Sequence, residues 1–242
     1  MRTLTVLGTC GAWPEPGRAA SGFLLDYDGF RLALDLGYAT FPRLAAHGDP
    51  ALLDAVVITH EHPDHCADLS ALARSRYFAP QRGPRLPLYC PPGVIARVQA
   101  MEPTENLNDV FDIHPLPAAT HRIGPLRLDT ARLPHHVPHA GVRLSAPGLV
   151  LAYSGDAGPA PALAELAAGA DLFIAGTTLP DQSDPDLLSA ADAAAWAERA
   201  GARRLLLTHF WPGSDRTRPL ALVRARFTGE VLAAEEDMTL AL

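Results

Sequence analysis

The stretch THEHPDH, residues 59–65, decides how this chain is read. It sets His60, His62 and His65 beside the acids Glu61 and Asp64, with Pro63 between them. It follows AVVIT (55–59), an apolar β-branched run that predicts a buried strand. It precedes CADLSALARSRYFA (66–79), where Leu69, Leu72, Ala73 and Tyr77 recur at helical spacing. The cluster is therefore expected on a loop between a strand's end and a helix's start, where α/β proteins place chemistry. His60 and His62 alternate on extended backbone and can turn toward one point. Asp64 and His65 follow the bend at Pro63, so the loop can serve two points. Imidazole and carboxylate are ligands for zinc and similar first-row metals. A solvated turn would account for one incidental histidine; the density here points to metal.

Outward from the motif, short apolar runs alternate with turn signals. RTLTVLGTC (2–10), SGFLLDY (21–27) and FRLALDLG (30–37) predict strands, and TFPRLAAHG (40–48) a short helix. PLYCP (87–91), VFDIHPL (110–116), PLRLDTARL (125–133), AGVRLS (140–145), LVLAYSGD (149–156), DLFIAGTT (171–178) and RLLLTH (204–209) continue the strand pattern. Helices are expected in GVIARVQA (93–100), over 161–170, and from a cap at Ser189 to Ala200. A further helix and one final strand, EVLAAEEDMTLAL (230–242), complete the chain. No repeat or linker interrupts this alternation. It predicts one α/β domain over residues 1–242, two sheets packed face to face with helices outside.

The chain has 242 residues, 48% hydrophobic and 19% charged, as a folded protein requires. Every basic residue is arginine. A net charge of −7 argues against a broad nucleic-acid surface, which needs a basic footprint. It leaves room for a small anionic substrate, because bound cations would change the local field. Cys10, Cys66 and Cys90 are too scattered for a disulfide framework and read as buried thiols. No run is long and apolar enough to span a membrane, and the N-terminus lacks a signal-peptide pattern, so a cytoplasmic location is expected.

HEHPDH resembles the His-x-His-x-Asp-His signature of the metallo-β-lactamase superfamily. The resemblance continues through LPHHVPHAGVRL (133–144), LAYSGDAG (151–158) and LLLTHFWP (205–212). It implies a four-layer αββα sandwich, with two mixed sheets between outer helices. It also implies two divalent metal ions, with zinc favoured by nitrogen-rich ligands and manganese or iron as alternatives. Carried over residue by residue, His60, His62 and His135 would hold the first metal, Asp64, His65 and His209 the second, and Asp156 would bridge them. Either His135 or His136 could be the third histidine; the resemblance implies His135, because the family pattern is the ligand, one spacer and then Val-Pro, as in His135-His136-Val137-Pro138. His139, close in sequence to that ligand, could line the pocket or lie on a surface loop; the surface-loop reading is favoured. Arg143 reads as the partner of a surface acid, with an anionic substrate as the other reading.

Two such metals about 3.5–4 Å apart lower the pKa of a shared water from 15.7 toward about 7 and polarise a phosphoryl or carbonyl oxygen. The implied activity is hydrolysis by metal-bound hydroxide, with Asp64 and Asp156 as catalytic ligands orienting it. The N-terminal GTCGAWPEPGRAASGFLL (8–25) resembles the ribonuclease Z-like and phosphodiesterase branch. Two departures argue against structured transfer RNA. Residues 136–155 hold only two predicted strands where the maturases insert an arm, and AGTTLP (175–180) has Gly176 in place of a Glu that assists the leaving group. A small phosphodiester, a cyclic nucleotide or short oligonucleotide, is the favoured substrate. A lactone or thioester hydrolase on the same metals, and a non-catalytic metal-binding domain, are the alternatives. Among relatives implied by the resemblance homodimers are common, though no stretch here argues for one.

Overall fold

Apolar runs become strands in two separate mixed sheets. The computed structural model describes residues 2–80, 83–117, 120–179, 182 and 184–242. It divides into two compact units, Met1–Leu116 with Glu235–Ala241, and Pro117–Ala234 with Leu242.

In the first unit, β1 (Arg2–Gly8), β2 (Gly22–Tyr27) and β3 (Phe30–Leu36) form an antiparallel meander. From β3 the sheet continues in parallel through β4 (Ala55–Val57), β5 (Leu86–Cys90) and β6 (Phe111–Pro115). Helices α1 (Thr40–Ala46), α3 (Leu69–Tyr77) and α4 (Pro92–Met101) bury Leu44, Leu69, Leu72, Val94 and Val98 among Leu36, Val56, Leu88 and Phe111. Between β4 and α3 the motif differs from its expected form. Pro63–Cys66 closes a single helical turn, α2, with Pro63 at its start, where a fixed φ and a missing N–H cost nothing. Asp64 and His65 therefore sit on a helical turn, and only the residues before it are loop.

In the second unit, β7 (His121–Ile123), β8 (Leu126–Arg132), β9 (Ala140–Ala146) and β10 (Leu149–Tyr153) are antiparallel. The sheet then runs parallel through β11 (Leu172–Gly176), β12 (Arg204–Thr208) and β13 (Glu230–Ala233). Its core joins α5 (Pro161–Leu166), α6 (Ala190–Ala200) and α7 (Thr217–Arg224) to Phe173, Leu205 and Leu207. Ala193, Ala194 and Ala197 give α6 a small-residue face that lets it lie close on its neighbours. Ser189 caps α6 reciprocally with Asp192, an arrangement whose loss costs about 1 kcal/mol.

The C-terminal stretch is two strands, not the single one expected. After β13 the acids Glu235, Glu236 and Asp237 form a turn, with Asp237 at φ 64, and β14 (Thr239–Ala241) pairs antiparallel with β1. Among the described residues no helix is long and apolar enough to cross a membrane.

Candidate metal centre

The donors of the first unit follow the end of β4, where a buried strand hands over to the histidine motif. Asp35, wholly buried near the end of β3, is the anchor beneath them. Its backbone is held at φ 55, a left-handed conformation that a non-glycine residue adopts at some cost. Its Oδ1 accepts the Thr59 N–H at 2.7 Å, and its Oδ2 accepts the Thr59 hydroxyl at 2.9 Å and His65 Nδ1–H at 2.7 Å. Thr59 has one hydroxyl hydrogen, and the carboxylate can only accept it. At the 3.0 Å contact between Thr59 Oγ1 and His60 Nδ1, the histidine must therefore donate. His60 and His65 are both fixed as Nδ1–H tautomers, with their lone pairs on Nε2. His60 Nε2 lies 3.1 Å from His62 Nδ1, and His65 Nε2 lies 3.7 Å from Asp64 Oδ2. The unit thus offers two donor pairs, His60 with His62 and Asp64 with His65. The Ala12 N–H fixes Asp64 by a 2.7 Å hydrogen bond to Oδ2. Glu61 turns the other way, toward Arg97 of α4, at 3.0 Å.

The donors of the second unit come from three separate strand ends. His135 follows β8, Asp156 follows β10, and His209, at φ 59, follows β12. His135 Nδ1 meets the Asp186 carbonyl at 3.2 Å and donates to it; its Nε2 lies 3.7 Å from Asp156 Oδ2. The Thr178 hydroxyl donates toward Asp156 Oδ1 at 3.4 Å, so it accepts at its 2.7 Å contact with His209 Nδ1. These two histidines carry the same tautomer as His60 and His65. His136 is differently placed: its side chain is 58% exposed and pairs with Asp186 at 3.4 Å, whereas that of His135 is 1% exposed.

Other sequence readings fare unevenly. His139 is buried, at 1% exposure, and is not a surface-loop residue, because the turn before β9 folds it inward against the His135 ring. Arg143 stands opposite Asp129 across β8 and β9, where Arg127 and, more weakly, Arg143 hold that carboxyl below the usual carboxylate range, in line with the surface-acid reading. Its hydrogen bonds go elsewhere, to the carbonyls of Leu166, the last residue of α5, and of Ala168 beyond it, where a cation meets the negative end of the helix dipole. Gly176 ends β11 where a Cβ would meet the Gly155 carbonyl oxygen at 2.6 Å, so no acid fits there. Pro180 of the same stretch lies outside the described residues. Cys10, Cys66 and Cys90 are buried and unbridged. Burial, reinforced by Asp35 and Asp64, pushes the Cys66 thiol up to about 12, and burial does the same for Cys90, so both stay protonated at neutral pH. Asp35 and Thr178 were missed by sequence reading, although an acid inside the apolar run of β3 was a visible signal.

The family model of the β-lactamase superfamily domain matches residues 29–210. An uncharacterized protein of Mycobacterium tuberculosis is 36% identical over 98% of this chain and 90% of its own length. A ribonuclease Z of Mycolicibacterium paratuberculosis is 31% identical over 96% of this chain and 95% of its own. Among solved structures, YhfI of Bacillus subtilis, a metallo-β-lactamase fold protein, is 25% identical, covers 99% of this chain and 98% of its own, and superposes with a TM-score of 0.89. The fold is that of metal-dependent hydrolases, and the chain belongs to the β-lactamase superfamily.

Proposed function

We propose that residues 1–242 act as one domain that hydrolyses a small phosphodiester at a pair of divalent metal ions, with zinc the favoured metal. His60, His62 and His135 would hold one ion, Asp64, His65 and His209 the other, and Asp156 would bridge. The tautomers carry this reading: His60, His65, His135 and His209 each have Nδ1–H engaged by an oxygen, which makes Nε2 the ligand atom. Four imidazoles oriented alike, with two carboxylates among them, form a donor set suited to zinc. Bound there, the ions supply Lewis acidity, acidifying the attacking water and offsetting charge that develops on the phosphoryl oxygens.

The residues do the rest. Asp64, locked by the Ala12 amide, and Asp156, backed by Thr178, orient the attacking water. Asp35 keeps His65 and, through Thr59, His60 in the binding tautomer. A phosphodiester is favoured over a carbonyl substrate by the ribonuclease Z relative, whose name denotes cleavage of that bond. The acidic net charge and the short span of 136–155, filled by β9 and β10, disfavour structured transfer RNA as the substrate.

The test is turnover of a chromogenic phosphodiester by zinc- or manganese-loaded protein, beside a lactone and a thioester. Phosphodiester turnover that disappears in His60→Ala is the expected result. Turnover of only the lactone or thioester would reassign the substrate class, and silence in a metal-loaded sample would leave a metal-binding domain.

A further inference from the structure

In the second unit the turn after β10 does more than carry Asp156. Gly158 stands two residues beyond that carboxylate and meets the surroundings of His135 from two sides. Its N–H donates to the Pro134 carbonyl at 2.8 Å, which fixes the peptide leading into His135. Its bare α-carbon leaves room for the chain around Asp186. A Cβ on Gly158 would fall 1.8 Å from the Pro185 carbonyl oxygen, 2.5 Å from the carbonyl carbon and 2.9 Å from the Asp186 Cα. Those are main-chain atoms in a close-packed region, and they cannot swing aside as the end of a side chain can. Asp186 in turn attends to two adjacent histidines. Its carbonyl accepts Nδ1–H of the buried His135 at 3.2 Å, and its carboxylate faces Nδ1 of the exposed His136 at 3.4 Å. The Asp186 N–H is itself tied to Asp184 Oδ1 at 2.8 Å.

We infer that Gly158 is a positioning residue for metal: it seats the Pro185–Asp186 backbone so that the Asp186 carbonyl holds His135 in its binding tautomer. In that tautomer the Nε2 lone pair lies 3.7 Å from Asp156 Oδ2, so one turn both carries Asp156 and steadies the histidine opposite it. The support is borne by main chain. The Asp186 side chain is then dispensable for metal, and the missing side chain of Gly158 is not. The inference rests on the ligand set proposed above and is independent of the substrate. Asp186 also borders an open cavity of about 600 Å³ with Arg132, His136 and Ala160, so a displaced backbone has space to move into and the Gly158→Ala chain is expected to fold.

The experiment reads metal and tautomer separately. Competition with a chromogenic chelator gives zinc affinity, and NMR of protein labelled with nitrogen-15 histidine gives the imidazole protons. The His135 Nδ1–H signal is assigned as the one missing from His135→Asn. Gly158→Ala should weaken zinc binding about tenfold, the low end of the range for a lost outer partner. It should also broaden or remove the His135 signal while those of His60, His65 and His209 stay. Asp186→Ala keeps the carbonyl, so its zinc affinity should stay within about twofold of wild type and the signal should persist. Thermal unfolding of the metal-free variants reports packing alone. A Gly158→Ala protein that is merely less stable, with zinc affinity and the signal unchanged, overturns the inference. An Asp186→Ala loss as large as that of Gly158→Ala also overturns it, because the side chain would then be the support. Should Gly158→Ala fail to fold, Pro185→Gly takes its place: it retains every carbonyl, frees the backbone before Asp186 and should broaden the same signal, and an unchanged signal overturns the inference. Zinc that does not bind wild-type protein fails the ligand set instead. The metal-free protein then decides the seat: a His135 tautomer fixed in wild type and released in Gly158→Ala keeps it, and one unaffected by the substitution overturns it.

Discussion

The two sets of donors solve one problem with different materials. In the first unit four candidate ligands lie within His60–His65, and a single buried carboxylate, Asp35, supports two of their imidazoles, one directly and one through Thr59. In the second unit His135, Asp156 and His209 come from the ends of β8, β10 and β12, and the supports are neutral: a hydroxyl from Thr178 and a main-chain oxygen from Asp186. A carboxylate behind an imidazole raises its basicity and holds it more firmly than a neutral acceptor does. On the proposed ligand set, the first unit would then hold metal more tightly than the second.

The largest expected effect is at the charged support. Asp35→Asn keeps the shape but removes the charge shared by Thr59 and His65. Metal affinity should fall by roughly ten- to a hundredfold, the range seen when such outer partners are lost. Competition with a chromogenic chelator measures it, and thermal unfolding of the metal-free variant checks that the fold survives. Unchanged affinity would remove Asp35 from the site.

Thr178→Val tests the neutral support. It strands the His209 N–H in a buried position while keeping the side-chain volume. The loss in metal affinity should be smaller, about tenfold or less. If the same chelator assay gave Thr178→Val the greater loss, the ranking of the two units would reverse.

The same contrast explains what could be read in advance. The first unit's donors are contiguous, so their chemistry is visible as a motif. The second unit's donors are single residues at strand ends, recognisable only by resemblance to a family that orders them so. Most strands were legible because their apolar runs are uninterrupted. The C-terminal run was misread because Glu235, Glu236 and Asp237 look like a charged strand edge, whereas Asp237 at φ 64 makes them a turn. His139 looked exposed because prolines and polar residues surround it in sequence; tertiary packing decides its burial. Asp35 could not be ranked above other acids, since its importance lies in contacts with residues some two dozen positions later.

The smallest effect belongs to the outer edge of the first unit. Glu61 faces Arg97, whose guanidinium donates to the same carboxylate oxygen from Nε at 3.1 Å and from Nη2 at 3.0 Å. Arg97 is half exposed, so solvent screens the pair, and such pairs contribute about 0–1 kcal/mol. A Cβ on Gly93, near the start of α4, would fall 1.3 Å from Glu61 Oε2, so a larger residue there would push the carboxylate from its present place. Arg97→Met should therefore lower stability by less than about 1 kcal/mol and leave metal affinity within about twofold. Chemical denaturation and the chelator assay read the two quantities separately. A loss of affinity approaching that of Asp35→Asn would mean that the Glu61–Arg97 pair, and not the buried carboxylate, sets the geometry of the histidine loop.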